Sequence, residues 1–170
     1  YAEAHNNLGN VFRENGDLNN AISCFESALK ISPLYIESHF SLALIFHEIG
    51  ELDNMIKHLE ESISIKPDFA EAFNSLGIAY KKKGQFDHAV KCYEKALSIH
   101  PNFAEASNNL GNVYKELGNL DKAIYSYQKA LTINSDYPSL HNNLGNAYKE
   151  DKQFDEAMNS YNNAIKHNPD

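Results

Sequence analysis

The amino-acid sequence predicts an all-α solenoid of five stacked helical hairpins, with ten antiparallel helices in all. Two observations predict it. The chain has 170 residues and divides without a gap into five blocks of 34, which are residues 1–34, 35–68, 69–102, 103–136 and 137–170. Each block also contains two runs of apolar residues at helical spacing. A fixed period of this length is the sequence signature of a repeat architecture.

The same positions of each block carry the same kinds of residue. Position 8 is always leucine, position 12 is always Phe or Tyr, and position 9 is glycine except at Ala43. Position 25 is aromatic except at Leu59, and positions 21 and 28 are small except at Met55. We expect the small residues to allow close approach of two helices, while the aromatic rings fill the space between them.

Each block reads as two helices joined by a turn. In the first helix, positions 5, 8, 9 and 12 have the i, i+3, i+4, i+7 spacing of one helical face. Position 16 then favours a left-handed helix end, because it is glycine in four blocks and Lys152 in the fifth. The second helix has its apolar face at positions 18, 21, 22, 25, 28 and 29. Position 33 ends it with Pro33, Pro67, Pro101, Ser135 and Pro169. One hairpin cannot bury its own apolar face, so neighbours must stack.

The Leu-Gly-x-x-Tyr segment, the Ala-x-x-x-Tyr-x-x-Ala segment and the terminal proline resemble the tetratricopeptide repeat (TPR) along the whole chain. Repeat two departs most from the pattern, at Ala43, Met55 and Ser62. The resemblance implies a right-handed superhelix in which the first helices line a concave groove. We expect residues 1–170 to form a single array that is a fragment of a longer one.

Composition excludes several classes of function. The net charge of −8 argues against nucleic acid as a partner, because phosphate binding needs clustered Lys and Arg. No apolar run approaches the roughly 18 residues of a membrane span, so no membrane partner is expected. Cys24 and Cys92 are two repeats apart, too far for a disulfide, which favours free thiols in a reducing, cytoplasmic compartment.

No constellation of residues points to catalysis. None of the eight histidines belongs to a metal-binding motif, and no Ser-His-Asp or Cys-His arrangement recurs in the repeats. We therefore expect this segment to be no enzyme and to bind no metal or other cofactor. His5, His39 and His141 share position 5, where the family has a large aromatic residue, and we interpret them as packing residues.

The candidate binding site is a polar face of the first helices. Positions 3, 6, 7, 10, 13 and 14 cluster on the side opposite the apolar positions, and we call this side the groove face. Each asparagine in a helix costs about 0.5 kcal/mol relative to alanine, so an accumulation on one face indicates function. Repeats one, four and five each carry three of them, which are Asn6, Asn7, Asn10, Asn108, Asn109, Asn112, Asn142, Asn143 and Asn146.

An amide side chain can pair with both the N–H and the C=O of an extended peptide, whatever its sequence. The groove face resembles the asparagine ladder in the TPR superhelix of O-linked GlcNAc transferase, where such amides hold the main chain of a bound peptide. The residues that match the ladder are Asn7, Asn109 and Asn143, while Ser41 and Ser75 interrupt it. The alternative is a bias in composition, because asparagines also occur on other faces.

Repeats two and three change the character of the groove face. Phe40, Leu44 and Ile78 place apolar groups there beside Asn74, which predicts a patch for a hydrophobic side chain, although single exposed apolar residues are common. Position 13 adds three lysines to the candidate site. They also lie in last helical turns, where a cation suits the helix dipole. These lysines are Lys81, Lys115 and Lys149.

The sequence thus predicts a scaffold that binds an extended peptide or a segment of a partner protein in this groove. An alternative function is the substrate-recruiting arm of a larger enzyme, such as a glycosyltransferase of the O-GlcNAc type. A further expectation is end-to-end self-association through uncapped solenoid ends. It rests on the apolar residues of the last helix, which are Phe154, Met158, Tyr161 and Ile165.

Overall fold

The computed structural model describes residues 1–167, and these form ten α-helices without a strand. The first helices of the repeats are α1 (Ala2–Glu14), α3 (Ile36–Glu48), α5 (Ala70–Lys82), α7 (Ala104–Glu116) and α9 (Pro138–Glu150). The second helices are α2 (Leu18–Ile31), α4 (Leu52–Ile65), α6 (Phe86–Ile99), α8 (Leu120–Ile133) and α10 (Phe154–His167). The predicted all-α solenoid with two helices per repeat is confirmed. Pro169, predicted to end the last helix, lies outside the described residues.

The helices belong to two compact units, of which the first comprises Tyr1–Ala79 and the second begins at Tyr80. In the first unit, α1 packs on α2 and α3 on α4, while α2 and α1 both contact α3. In the second unit, α7 packs on α8 and α9 on α10, and α8 and α7 both contact α9. Each hairpin therefore packs against the next one within its unit, as the unburied apolar faces require.

The core of each unit joins the second helix of one repeat to the first helix of the next. In the first unit, Ala21 and Phe25 of α2 pack with Leu42 and Ile45 of α3. In the second unit, α8 and α9 contribute Ala123, Ile124, Tyr127, Ala130, Leu140, Leu144 and Ala147. A Cβ atom at Gly9 would lie 2.8 Å from the Phe25 ring, so glycine at position 9 is what admits the aromatic residue at position 25.

The turn inside each hairpin contains one left-handed residue. Gly16, Gly50, Gly84 and Gly118 have φ angles of 77°, 81°, 71° and 74°, as predicted for position 16. Lys152 adopts the same conformation with φ 62°, although a side chain disfavours it. The fifth turn is therefore built like the other four but carries backbone strain.

Two of the position-5 histidines make a hydrogen bond that recurs between repeats. In repeat two, Nε2–H of the buried His39 donates to the Pro33 carbonyl at 3.0 Å. In repeat five, Nε2–H of His141 donates to the Ser135 carbonyl at 2.9 Å. Both carbonyls lie six residues before the histidine. These rings hold the start of a first helix against the preceding loop, which is the packing role expected of them.

Candidate peptide-binding face

The groove face of the first unit is less open than the sequence predicts. Asn6 is only 5% exposed and accepts a hydrogen bond from Oγ of Ser38 at 3.1 Å. Asn74 is likewise only 4% exposed. Little of either side chain is therefore open to a ligand, and the contact of these two asparagines with a peptide stays a prediction. The reason in repeat one is that α1 packs beside α3, which turns position 6 toward the neighbouring first helix.

Other groove-face residues of the first unit are accessible. Asn7 is exposed, and Asn10, Phe40, Ser41, Leu44, Ser75 and Ile78 are half-buried. Part of this set forms a depression of about 340 Å³, which we call the phenylalanine depression. Its lining residues are Asn6, Asn10, Ile36, Glu37, Phe40, Ser41, Lys66 and Phe69.

The phenylalanine depression has an aromatic base and a polar rim. The rings of Phe40 and Phe69 are in contact, with centroids 4.8 Å apart. Nζ of Lys66 lies 5.0 Å from the Phe69 centroid, and the oppositely charged Glu37 also lines the depression. Such a site can take an apolar side chain and still offer polar partners to the adjoining peptide backbone.

Sequence reasoning found part of this site. The lining residues that were predicted are Asn6, Asn10, Phe40 and Ser41. Leu44 and Ile78 do not line the depression, whereas Ile36, Lys66 and Phe69 do. The missed signal was position 1, which is Tyr or Phe in every repeat. An aromatic residue just before a first helix can reach the groove face of the first helix in the preceding repeat, as Phe69 reaches Phe40.

In the second unit, two groove-face asparagines bind each other. Nδ2 of Asn143 donates to Oδ1 of Asn108 at 3.0 Å, which joins position 7 of one repeat to position 6 of the repeat before it. Asn109 and Asn143 are half-buried. Asn142 is exposed and lines a shallow depression with Pro138 and Ile165. The structure thus brings together amides of adjacent repeats, with a link between them.

The asparagines at position 10 of this unit support the hairpin itself. The hydroxyl of Tyr127 donates to Oδ1 of Asn112 at 2.8 Å, and that of Tyr161 donates to Oδ1 of Asn146 at 2.8 Å. Burial raises the pKa of Tyr127, and Glu150 and Glu116 add to the shift, so its hydroxyl keeps its proton. Asn112 and Asn146 therefore have a structural role beyond the peptide contact predicted for them.

Two of the predicted lysines are held in ion pairs between repeats. Nζ of Lys81 lies 2.9 Å from Glu116, and Nζ of Lys115 lies 3.6 Å from Glu150. Position 13 of one repeat thus pairs with position 14 of the next, a contact of about 0–1 kcal/mol for groups this exposed. Lys149 is exposed and makes no ion pair within residues 1–167. It is the lysine of the three whose charge faces solvent.

The remaining features of the described residues bear on what this face can bind. No three His, Cys, Asp or Glu side chains in residues 1–167 could hold a metal ion together. None of the ten helices is long and apolar enough to cross a membrane. Neither Cys24 nor Cys92 forms a disulfide within residues 1–167. The face therefore offers amides, hydroxyls and one aromatic depression as its binding groups.

Comparison with known proteins agrees with the fold. Family profiles described as TPR repeat match residues 9–50, 45–84, 79–118 and 111–152. A profile described as tetratricopeptide repeat matches residues 138–170. No curated protein sequence matched the chain.

Solved structures with this fold include MamA, which is 28% identical with a TM-score of 0.88 over 94% of this chain and 93% of that one. TTC0263, a thermophilic TPR protein of Thermus thermophilus, is 25% identical with a TM-score of 0.75 over 99% and 92% of the two chains. YrrB, described as a TPR protein with an unusual peptide-binding site, is 18% identical with a TM-score of 0.82 over 100% and 88%, which shows the fold alone. By its repeats and its fold, the chain belongs to the tetratricopeptide repeat family.

Proposed function

We propose that the chain is a protein-interaction scaffold that binds an extended segment of a partner polypeptide on its groove face. The observation that carries this proposal is the phenylalanine depression, where Phe40 and Phe69 form an apolar base beside Asn10 and Ser41. An extended peptide could place one apolar side chain in the depression, while its backbone pairs with the neighbouring amide and hydroxyl groups.

The second unit supports the same mode of binding by its amides. The Asn143–Asn108 pair uses one donor of Asn143 and one acceptor lone pair of Asn108. Each amide has further donors and acceptors, so the pair orients groups that remain able to bind a peptide backbone. A substrate-recruiting arm of a larger enzyme would use this face in the same way.

The test of the proposal selects peptides from a random displayed library against the whole chain and measures their affinity by calorimetry. Phe40→Ala should weaken the selected peptides by about tenfold or more, as expected for a central aromatic contact. Tyr125→Ala is the matched control, since Tyr125 is 68% exposed on α8 and lies off the groove face. Equal losses in both variants, or no enrichment of peptides, would refute a binding site at Phe40.

A second proposal, self-association, rests on exposed apolar side chains of α1 and α10. Leu8 and Val11 are 46% and 60% exposed, and Phe154, Met158 and Ile165 are 61%, 57% and 60% exposed. Tyr161, expected to join them, is half-buried and bonded to Asn146. Contact between two copies through these faces would remove apolar surface from water.

Sedimentation velocity should show association of the parent chain. Met158→Glu should abolish this association, and Asn159→Glu, one residue further along the helix, should leave it unchanged. A monomer at all concentrations contradicts it.

A further inference from the structure

A pocket of about 310 Å³ lies between α6, α7 and α8 in the second unit. It is on the apolar side of α7, away from the groove face. Two leucines, Leu97 and Leu110, and two tyrosines, Tyr114 and Tyr125, line it. This volume is at the lower end of the range for small-molecule sites, about 300–1,000 Å³. The size of the pocket and its apolar and aromatic lining therefore fit a ligand with a single ring.

Tyr114 is held at this pocket by one residue from each neighbouring second helix. Its hydroxyl donates to Glu94 of α6 at 3.0 Å, and Nζ of Lys122 of α8 lies 5.2 Å from the centroid of its ring. Burial, together with the hydrogen bond to Glu94, raises the pKa of Tyr114, so its hydroxyl is neutral at pH 7. Tyr114 therefore contributes aromatic surface to the pocket and no charge.

The charged residues of the pocket favour an anion. Lys122 and Lys129 line it together with one carboxylate, Glu94, and two lysines against one glutamate leave a net charge of +1. One oxygen of Glu94 already accepts the hydrogen bond from the Tyr114 hydroxyl. The whole chain, in contrast, has a net charge of −8. The pocket is thus a locally positive site on an acidic chain, and opposite charges attract there.

The other repeats lack this combination of residues. Lysine occupies both position 20 and position 27 only in repeat four, and position 23 is aromatic only there. In repeat five, the same three positions are Glu156, Asn159 and Asn163. Tyr125, the aromatic residue at position 23, is 68% exposed. The fold does not require these three side chains, because the other repeats form the same helices without them, so their presence together indicates a role in binding.

We propose that this pocket binds a small aromatic carboxylate, that is, a single ring with one negative charge. The ring would lie against Leu97 and Leu110 and between the two tyrosines, which removes its apolar surface from water. The carboxylate would face Lys122 and Lys129. A small molecule is favoured over an acidic segment of a partner protein, because the net charge of −8 repels a multiply charged partner more strongly than a monoanion.

The test compares three ligands of the same shape and different charge, which are the anion benzoate, the neutral benzamide and the cation benzamidine. Each is titrated into the isotope-labelled whole chain at pH 7 and low ionic strength, and the backbone amides are followed by NMR. Benzoate should give saturable shifts at amides around Leu97, Tyr114 and Tyr125, with a dissociation constant in the millimolar range expected for so small a ligand. Benzamide should bind about three- to fivefold more weakly, and benzamidine more weakly still.

Three variants separate the contribution of charge from that of the ring, and a fourth is the control. Lys122→Gln and Lys129→Gln should each weaken benzoate by about threefold and leave benzamide unchanged. Tyr125→Ala should weaken both ligands by about threefold, because it removes an aromatic contact. Lys30→Gln removes the same charge from an exposed residue of α2 that does not line the pocket, and it should bind benzoate like the parent.

Several results would overturn the proposal. They are benzoate shifts that do not saturate or that spread over the surface, benzamidine that binds as tightly as benzoate, and equal losses of benzoate affinity in Lys30→Gln and in the two lining variants. The peptide acetyl-Glu-Phe-Glu-amide, titrated in the same way, tests the other kind of ligand. If it binds at the same amides more tightly than benzoate, the ligand is an acidic segment of a partner and not a small molecule.

Discussion

A Cβ atom at Gly111 would lie 2.7 Å from Cε1 of Tyr127, closer than two carbon atoms can approach without one of them moving. The same relationship joins Gly145 to Tyr161 at 2.7 Å. In repeat two, where position 9 is Ala43, position 25 is Leu59 rather than an aromatic residue. The two positions therefore change together, because the space that one side chain takes is lost to the other.

Gly111→Ala should destabilise the protein by about 1–3 kcal/mol, the usual cost of overpacking. A loss of stability in this variant would be informative, because alanine in a helix interior is otherwise more stable than glycine by about 1 kcal/mol. Adding Tyr127→Leu should recover part of the loss by recreating the Ala–Leu pair of repeat two. Urea denaturation measures both changes. A Gly111→Ala variant as stable as the parent would show that the Tyr127 ring moves aside freely.

Two buried tyrosines at position 25 should respond oppositely to loss of the hydroxyl. The Tyr93 hydroxyl is buried and has no partner within residues 1–167, whereas that of Tyr127 donates to Asn112 at 2.8 Å. Tyr93→Phe should be neutral or stabilise by up to about 1 kcal/mol, and Tyr127→Phe should destabilise by about 1 kcal/mol. Thermal unfolding of the pair, each the control for the other, checks this. Equal losses would contradict it.

Much of the fold follows from the sequence because one period determines many positions at once. Position 8 is leucine in every repeat and position 16 is glycine in four of them. Each expected buried face and each expected helix end is therefore supported by several copies of the same pattern. The exposure of the groove-face residues is predicted less well from the sequence. Asn6, Asn7 and Asn10 look alike in sequence, yet Asn6 is buried and Asn7 is exposed. The difference comes from contact with the next first helix, which a pattern within one repeat does not contain.

The partners of the groove-face residues are harder still to predict. The bond between Tyr127 and Asn112 joins positions 25 and 10, and no helical periodicity relates positions on two different helices. It could have been found by comparing repeats, because asparagine at position 10 accompanies tyrosine at position 25 in repeats four and five, and both pairs form the bond. The asparagine ladder itself and its peptide contacts stay predictions.

Lys152→Gly should stabilise the protein by about 1 kcal/mol. Lys152 has a positive φ of 62°, a conformation that costs a residue with a side chain about 1–2 kcal/mol. Glycine adopts it freely and occupies the same place in the other four turns. The reciprocal variant Gly118→Lys should lose a similar amount, because φ at Gly118 is 74°. If denaturant midpoints of the two variants shift in the same direction, backbone strain at Lys152 does not control stability.

Acidification from pH 6.5 to pH 4 should destabilise the first unit through His58. Burial, together with the nearby His39 and Lys57, lowers the pKa of His58 to about 4. Since the unfolded state has a pKa near 6.5, it binds more protons than the folded state between these values. The contribution of neutral His58 to the free energy of unfolding is therefore fully present above pH 6.5 and is lost as the pH falls toward 4. For a half-buried group, we expect a loss of about 1–2 kcal/mol.

The hydrogen bonds of the histidine pair determine which ring nitrogen carries the proton when both rings are neutral. The Pro33 carbonyl can only accept, so His39 carries its proton on Nε2, and its Nδ1 accepts from Nδ1–H of His58. His58→Gln, which keeps a donor for His39, should flatten the pH dependence of urea unfolding between pH 4 and 6.5. His88→Gln, at an exposed position beside the Tyr80 ring, is the control and should retain the slope of the parent. An unchanged slope in His58→Gln would assign the acid sensitivity to other groups.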